Sequence, residues 1–111
     1  MELSPEDCRR CLVEIALRRS HVKRRIVMYL SIHGYGYVSG IARDIYATPT
    51  NVIGALRGMN NRYNVKDSLL SLEVVSEMTL RGDDRVKMFR LTSEVGKDAV
   101  VMCKKFDKGV A

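Results

Sequence analysis

Apolar residues recur at helical spacing over most of the chain, and the interruptions fall at polar breaks. In residues 41 to 59, IARDIYATPTNVIGALRGM, Ile41, Ala42 and Ile45 precede the break ATPT, and Val52, Leu56 and Met59 follow it at intervals of four and three. That spacing predicts two helices joined by a short turn, with Thr48 as the N-cap and Pro49 as the first residue of the second helix. Upstream, SPEDCRRCLVEIAL predicts a helix with Ser4 as N-cap, Pro5 first, Asp7 as capping-box partner, and Cys11, Leu12 and Ile15 on its apolar face. Ser20 can cap HVKRRIVMYLSI, where Val22, Ile26, Val27 and Leu30 make a core-facing stripe that ends at His33-Gly34. The pattern leaves open whether residues 5 to 32 form one bent helix or two. YGYV reads as a short extended piece, and Ser39 as the cap of the brief helix bearing Ile41, Ala42 and Ile45.

Beyond the helix pair, NNRYNVK reads as a polar loop, and Asp67 as the cap of a short helix with Leu69, Leu70 and Leu72. VVSEMTL and RVKMFRLT are strand-like runs separated by RGDD, which predicts a hairpin with a Gly-Asp turn. Apolar groups on both faces of the second run leave its register open. Thr92 or Ser93 then caps a last helix in which Val95, Ala99, Met102, Cys103 and Phe106 form one stripe, with Gly109 just past its end. There is no repeat, low-complexity tract or linker, and 111 residues suit a single domain, 1–111, around one modest core.

Composition adds a partner class and removes others. Lys and Arg outnumber Asp and Glu by 19 to 13, a net charge of +6, which favours an anionic partner, nucleic acid foremost. No apolar run approaches the ~20 residues of a membrane span and the N-terminus has no signal-peptide core, so a soluble, cytoplasmic protein with no membrane partner is expected. Three cysteines make no disulfide framework. Cys8 and Cys11 form a C-x-x-C within a helix, but Cys103, His21 and His33 are too scattered to complete a zinc site. No metal or other cofactor is expected. With no Gly-rich phosphate loop, Ser/His/Asp set or carboxylate pair, neither is an enzyme.

If Val52, Leu56 and Met59 face the core, the opposite face of their helix carries Thr50, Asn51, Gly54 and Arg57, beside Thr48 at its start. Hydroxyl, amide and guanidinium groups bond base edges or phosphates, and a glycine among them permits close approach of the backbone. An interior glycine costs about 1 kcal/mol relative to alanine in an exposed helix, so Gly54 is unexpected on an idle face. Arg18, Arg19, Lys23, Arg24 and Arg25 form a basic cluster elsewhere, with Arg19, Lys23 and Arg24 the candidate phosphate contacts. Tyr35 and Tyr37, flanking Gly36, read as a turn that packs the start of the next helix, with stacking on bases as the alternative.

The order of elements resembles the winged helix-turn-helix proteins over about residues 20 to 100. IARDIYATPTNVIGALRGM resembles that family's pairing of an Ala-bearing positioning helix with a recognition helix, and RLTSEVGKDA its Leu-Thr and downstream Gly after the wing. The closest likeness is to small archaeal transcriptional regulators. Two features depart from the family pattern: Tyr46 stands where glycine is usual at the turn, and NNRYNVKDSLLSLE is a longer link to the wing. The resemblance implies a mainly α fold with a small β-hairpin wing (α+β), a winged-helix core at 20–92, and extra N- and C-terminal helices at 4–19 and 93–107. It further implies sequence-specific binding of double-stranded DNA as a transcriptional regulator, with the helix starting near Thr48 in the major groove. At the wing, Asp83 and Asp84 repel phosphate and leave contact to Arg81 and Arg85. Apolar stripes on the terminal helices point to a homodimer. The alternative is a winged-helix module for protein–protein contact in a transcription-related assembly.

Overall fold

A computed structural model describes residues 5–59, 64–80 and 83–107, with residues 6, 80, 83–86 and 107 described by backbone alone. The elements are α1 (Pro5–Arg19), α2 (His21–His33), α3 (Val38–Ile45), α4 (Pro49–Arg57), a 3-10 turn (Val65–Asp67), the strands β1 (Val75–Leu80) and β2 (Asp83–Leu91), and α5 (Val95–Asp107). The predicted mainly α fold with a hairpin is what forms.

The question of one helix or two is settled at Ser20, whose extended backbone (φ −136°, ψ 110°) breaks the helix. Its hydroxyl accepts the Lys23 N–H at 3.1 Å and starts α2. α2 lies at the centre, packing on α1, α3, α4, α5 and β2, with Ile26, Val27 and Leu30 fully buried. It ends on Gly34 (φ 84°), whose N–H bonds the Leu30 carbonyl. The extended YGYV then pairs with the hairpin: the Gly36 and Phe89 backbones exchange two hydrogen bonds of 2.9 Å. Only glycine fits there, since a Cβ would come within 2.8 Å of both Ile41 and Tyr29.

Several expectations need correcting. α3 begins at Val38 after Tyr37 with no side-chain cap, so Ser39 lies in its first turn rather than capping it. The buried face of α1 is Val13, Ala16 and Leu17, while Leu12 and Ile15 are about half exposed (51% and 44%) and Cys11 is exposed. Met59 is not part of the buried stripe of α4. The helix ends at Arg57, Gly58 (φ 89°) reverses the chain, and Met59 is partly exposed.

The helix expected from Asp67 is instead the 3-10 turn, capped by Asn64, followed by further turns in which Ser68 accepts the Ser71 N–H. The segment also docks on α4. A helix leaves its last four carbonyls without intrahelical partners. Here the Leu69 and Leu70 N–H groups bond the Ala55 and Leu56 carbonyls at 3.0 Å each. The segment stops short of a helix where Glu73 takes a left-handed backbone (φ 62°) and the Val74 N–H turns back to the Leu69 carbonyl at 2.9 Å, while Leu69 and Leu72 reach the core.

The hairpin is antiparallel, registered from Val75 opposite Leu91 to Thr79 opposite Lys87, with a shift before Leu80 opposite Asp83. Part of the expected Gly-Asp turn lies outside the described residues. Of the two candidate caps of α5, Thr92 serves: its hydroxyl accepts the Gly96 N–H at 2.8 Å and donates to the Glu73 carbonyl at 2.7 Å. The α5 stripe is inward as expected, with Ala99 and Cys103 buried and Val95, Met102 and Phe106 packed against the core. Ser4 and Gly109 lie outside the described residues.

Candidate nucleic-acid interface

The turn between α3 and α4 is fixed from both sides. Tyr46 ends α3 in the left-handed conformation (φ 59°, ψ 43°), which an L-residue adopts at a cost and glycine adopts freely. The Ala47 N–H bonds the Ala42 carbonyl. Thr48 then caps α4, accepting the Asn51 N–H at 3.1 Å, and Pro49 opens the helix. Val52, Ala55 and Leu56 are fully buried, which turns Thr48, Pro49, Thr50, Ile53 and Arg57 to the surface.

The residues expected on the outer face divide. Thr48 and Thr50 are exposed. Asn51 is half-buried on the wall of a groove of about 680 Å³, across from Leu12, Ile15 and Arg19. Gly54, expected outside, is buried. It belongs to the last turn of α4, where its carbonyl accepts the helix-closing N–H of Gly58 at 2.8 Å. Arg57 reaches the surface but is engaged: it is ion-paired with Glu77 on β1, and its guanidinium lies 5.9 Å from the centre of the Phe89 ring. It therefore ties the end of α4 to the root of the hairpin. Arg81 lies outside the described residues, and only the backbone of Arg85 is described.

Much of the basic cluster is spent on the protein's own carbonyls, although only Lys23 is buried. Three consecutive cations each cap a different helix end. The Lys23 ammonium donates to the Asp67 carbonyl at 2.8 Å, Arg24 to the carbonyls of Leu17 and Arg18 at 2.5 and 3.0 Å, and Arg25 to that of Ile45 at 3.0 Å. Helix C-termini combine orphan carbonyls with partial negative charge, and cations there satisfy both. Lys23 is only 6% exposed; burial lowers its pKa below the ordinary 10.5, and the Asp67 carboxylate opposes that shift. Lys23 and Arg24, expected on phosphates, are thus occupied within the fold, while Arg19 stands exposed on the lip of the groove. Arg18 pairs with Glu14 at 3.1 Å and lies over Phe106.

Sequence reasoning missed two surface residues beside α4. Ile53 is 39% exposed and Tyr46 is 93% exposed. The signal for Ile53 was present, since it stands one residue off the Val52–Leu56 stripe and so a quarter-turn or more from its centre. Cys8 and Cys11 are exposed on α1 and Cys103 is buried. Among the described residues no group of three His, Cys, Asp or Glu side chains could hold a metal, and no helix is long and apolar enough to cross a membrane.

Residues 13–102 match the family model described as EarA-like. The uncharacterized protein MJ0905 of Methanocaldococcus jannaschii is 38% identical over 94 residues, covering 83% of this chain and 81% of that protein. Among solved structures, a variant of S. aureus MepR bound to an oligodeoxyribonucleotide superposes with a TM-score of 0.61 at 17% identity, over 93% of this chain and 71% of that one. YusO of Bacillus subtilis gives 0.59 at 17%, over 92% and 70%. A variant of Lactococcus lactis ZitR gives 0.58 at 20%, over 80% of this chain but 51% of its own, so the chain spans about half the length of ZitR. These likenesses show the fold, and it is the winged helix-turn-helix: α3 and α4 are the helix pair and β1–β2 the wing.

Proposed function

The chain belongs to the EarA-like family, and from its winged helix-turn-helix fold we propose that it binds specific sequences of double-stranded DNA as a transcriptional regulator, entering the major groove with the Thr48 end of α4. The observation that carries this reading is the contrast between the two sides of α4. One side is pinned, by Val52, Ala55 and Leu56 in the core and by the Leu69 and Leu70 N–H groups on its last carbonyls. The other presents Thr48, Pro49, Thr50 and Ile53 to solvent. A rigidly held helix with an open outer face is what groove reading requires, because base contacts discriminate only when the helix cannot shift. The oligodeoxyribonucleotide on the MepR variant and the net charge of +6 support the same partner.

On this reading the Thr48 and Thr50 hydroxyls bond phosphate or base edges at the groove entrance, Arg19 contacts phosphate, and Arg81 and Arg85 serve the wing. Arg57 reaches a base only by leaving Glu77, and Asn51 only from the groove side of the helix. Leu12 and Ile15 on α1 and Val101 on α5, all more than two-fifths exposed, supply the apolar surface for a two-fold partner.

Selection of bound sequences from random duplex DNA tests this directly. The expected result is a recovered motif with two half-sites related by a palindrome, mirroring a dimer. No enrichment over random duplex overturns the reading in favour of the protein-contact module.

A further inference from the structure

The outer face of α4 differs in chemistry from a set of polar base readers. Gly54 is buried, Asn51 stands at the α1 groove, and Arg57 is held by Glu77 and Phe89. The exposed side chains on the body of the helix are Thr50 and Ile53, one turn apart. A single exposed isoleucine is ordinary on a protein surface. This one stands on the face turned away from Val52, Ala55 and Leu56, in a nine-residue helix whose remaining long polar side chain is already engaged.

Resting on the reading of α4 as the groove helix, we propose that Ile53, with the Thr50 methyl beside it, recognises the 5-methyl groups of thymine. The partner's chemistry selects this match. Of the four bases only thymine presents an apolar group in the major groove, and apolar side chains read it by contact. Residues three apart on a helix have Cβ atoms about 5–6 Å apart, a separation of one to two base steps of about 3.4 Å. Thr50 and Ile53 therefore address neighbouring base pairs, with the Thr50 hydroxyl on the adjacent polar edge or phosphate. Specificity then comes from apolar contact at these positions and not from an arginine on guanine.

The test pairs a base change with a protein change. Deoxyuridine replaces thymine, one position at a time, in the duplex recovered by selection, which removes the methyl and keeps the base pair. Wild-type protein and Ile53→Ala are titrated on each duplex. Ile53 is partly exposed and alanine favours helix, so the variant should fold, and its melting curve checks this. For wild type, uracil at one or two positions per half-site should weaken binding about fourfold each, as expected for one apolar methyl. For Ile53→Ala the sensitivity should vanish at the position that Ile53 addresses and persist at its neighbour, the one that Thr50 addresses, and Ile53→Val should restore part of what is lost. Wild-type binding that is indifferent to uracil at every position overturns the proposal while leaving DNA recognition intact. So does an equal loss in the two proteins at every sensitive position, which would reflect duplex shape. Failure to bind any duplex overturns the DNA reading itself, and the methyl proposal with it.

Discussion

The run Lys23-Arg24-Arg25 and the outer face of α4 are both polar stretches on helices, and both invite assignment to DNA. The fold treats them oppositely. The basic run is consumed by the protein, each cation capping another element's carbonyls, whereas the start of α4 keeps Thr48 and Thr50 open. The difference follows from what surrounds each stretch. α2 is central, so the ends of α1, α3 and the 3-10 turn converge on it, and each brings unpaired carbonyls and partial negative charge. α4 lies at the edge, and its own C-terminal carbonyls are met by the backbone of Leu69 and Leu70. Charge density in sequence therefore marks a binding surface only where no helix end competes for the cation.

The sharpest way to break this comparison is at Arg24. Arg24→Ala removes two hydrogen bonds to the end of α1 and a contact with His21, and charged hydrogen bonds of this kind are worth about 1.5–3 kcal/mol. We expect a stability loss of about 2 kcal/mol and a Tm lowered by roughly 10 °C. The slope of log DNA affinity against log salt should not change for the folded fraction. Arg19→Ala should do the reverse, leaving Tm in place and lowering the slope by about one unit. Melting curves and salt titrations on the two variants decide it. A reduced slope for Arg24→Ala would mean that this guanidinium reaches phosphate after all.

Much of the fold was legible because its signals are local. Thr48-Pro49 marks the start of α4, Ser20 that of α2, and Gly34 the end of α2, each through the backbone chemistry of a few residues. The misreadings share a different cause: they depend on contacts distant in sequence. Asp67 looks like a helix cap, but the segment after it docks on the end of α4 through Leu69 and Leu70 and closes at Glu73. Arg57 looks like a base reader, but Glu77, 20 positions further along, pairs with it. Spacing places a side chain on a helix face; it does not reveal which element will pack there.

A smaller effect separates the two helix ends that turn left-handed. α2 closes on Gly34 at φ 84° and α3 on Tyr46 at φ 59°, so one turn is relaxed and the other carries a Cβ in a disfavoured region. Tyr46 is almost wholly solvent-exposed, so truncation removes little packing. Tyr46→Gly should therefore stabilise the protein by about 0.5–1 kcal/mol, the relief of left-handed strain less the added entropy of an unfolded glycine. Thermal or urea denaturation measures it. A lower Tm would show that the tyrosine ring contributes to the fold despite its exposure.

The smallest expected effect concerns Lys23, the most deeply buried member of the basic run. Burial makes the folded protein release the Lys23 proton below the ordinary 10.5, while the unfolded chain holds it up to that value. Between the two, the unfolded state binds more protons, so stability rises with pH; below the folded value the cost of the buried charge is constant, and above 10.5 it is gone. Lys23→Met keeps most of the buried stem and removes the ionisation together with the bond to the Asp67 carbonyl. Urea denaturation of both proteins from about pH 8 to about pH 11 isolates the contribution, because other titrating groups cancel in the difference. Wild type should gain on the variant as pH climbs towards 10.5. A difference that falls with pH would mean that the folded protein favours the charged amine, and that Asp67 outweighs burial. Lys23 would then act as an ion-pair partner at the end of the 3-10 turn, and the burial of its stem would need another explanation.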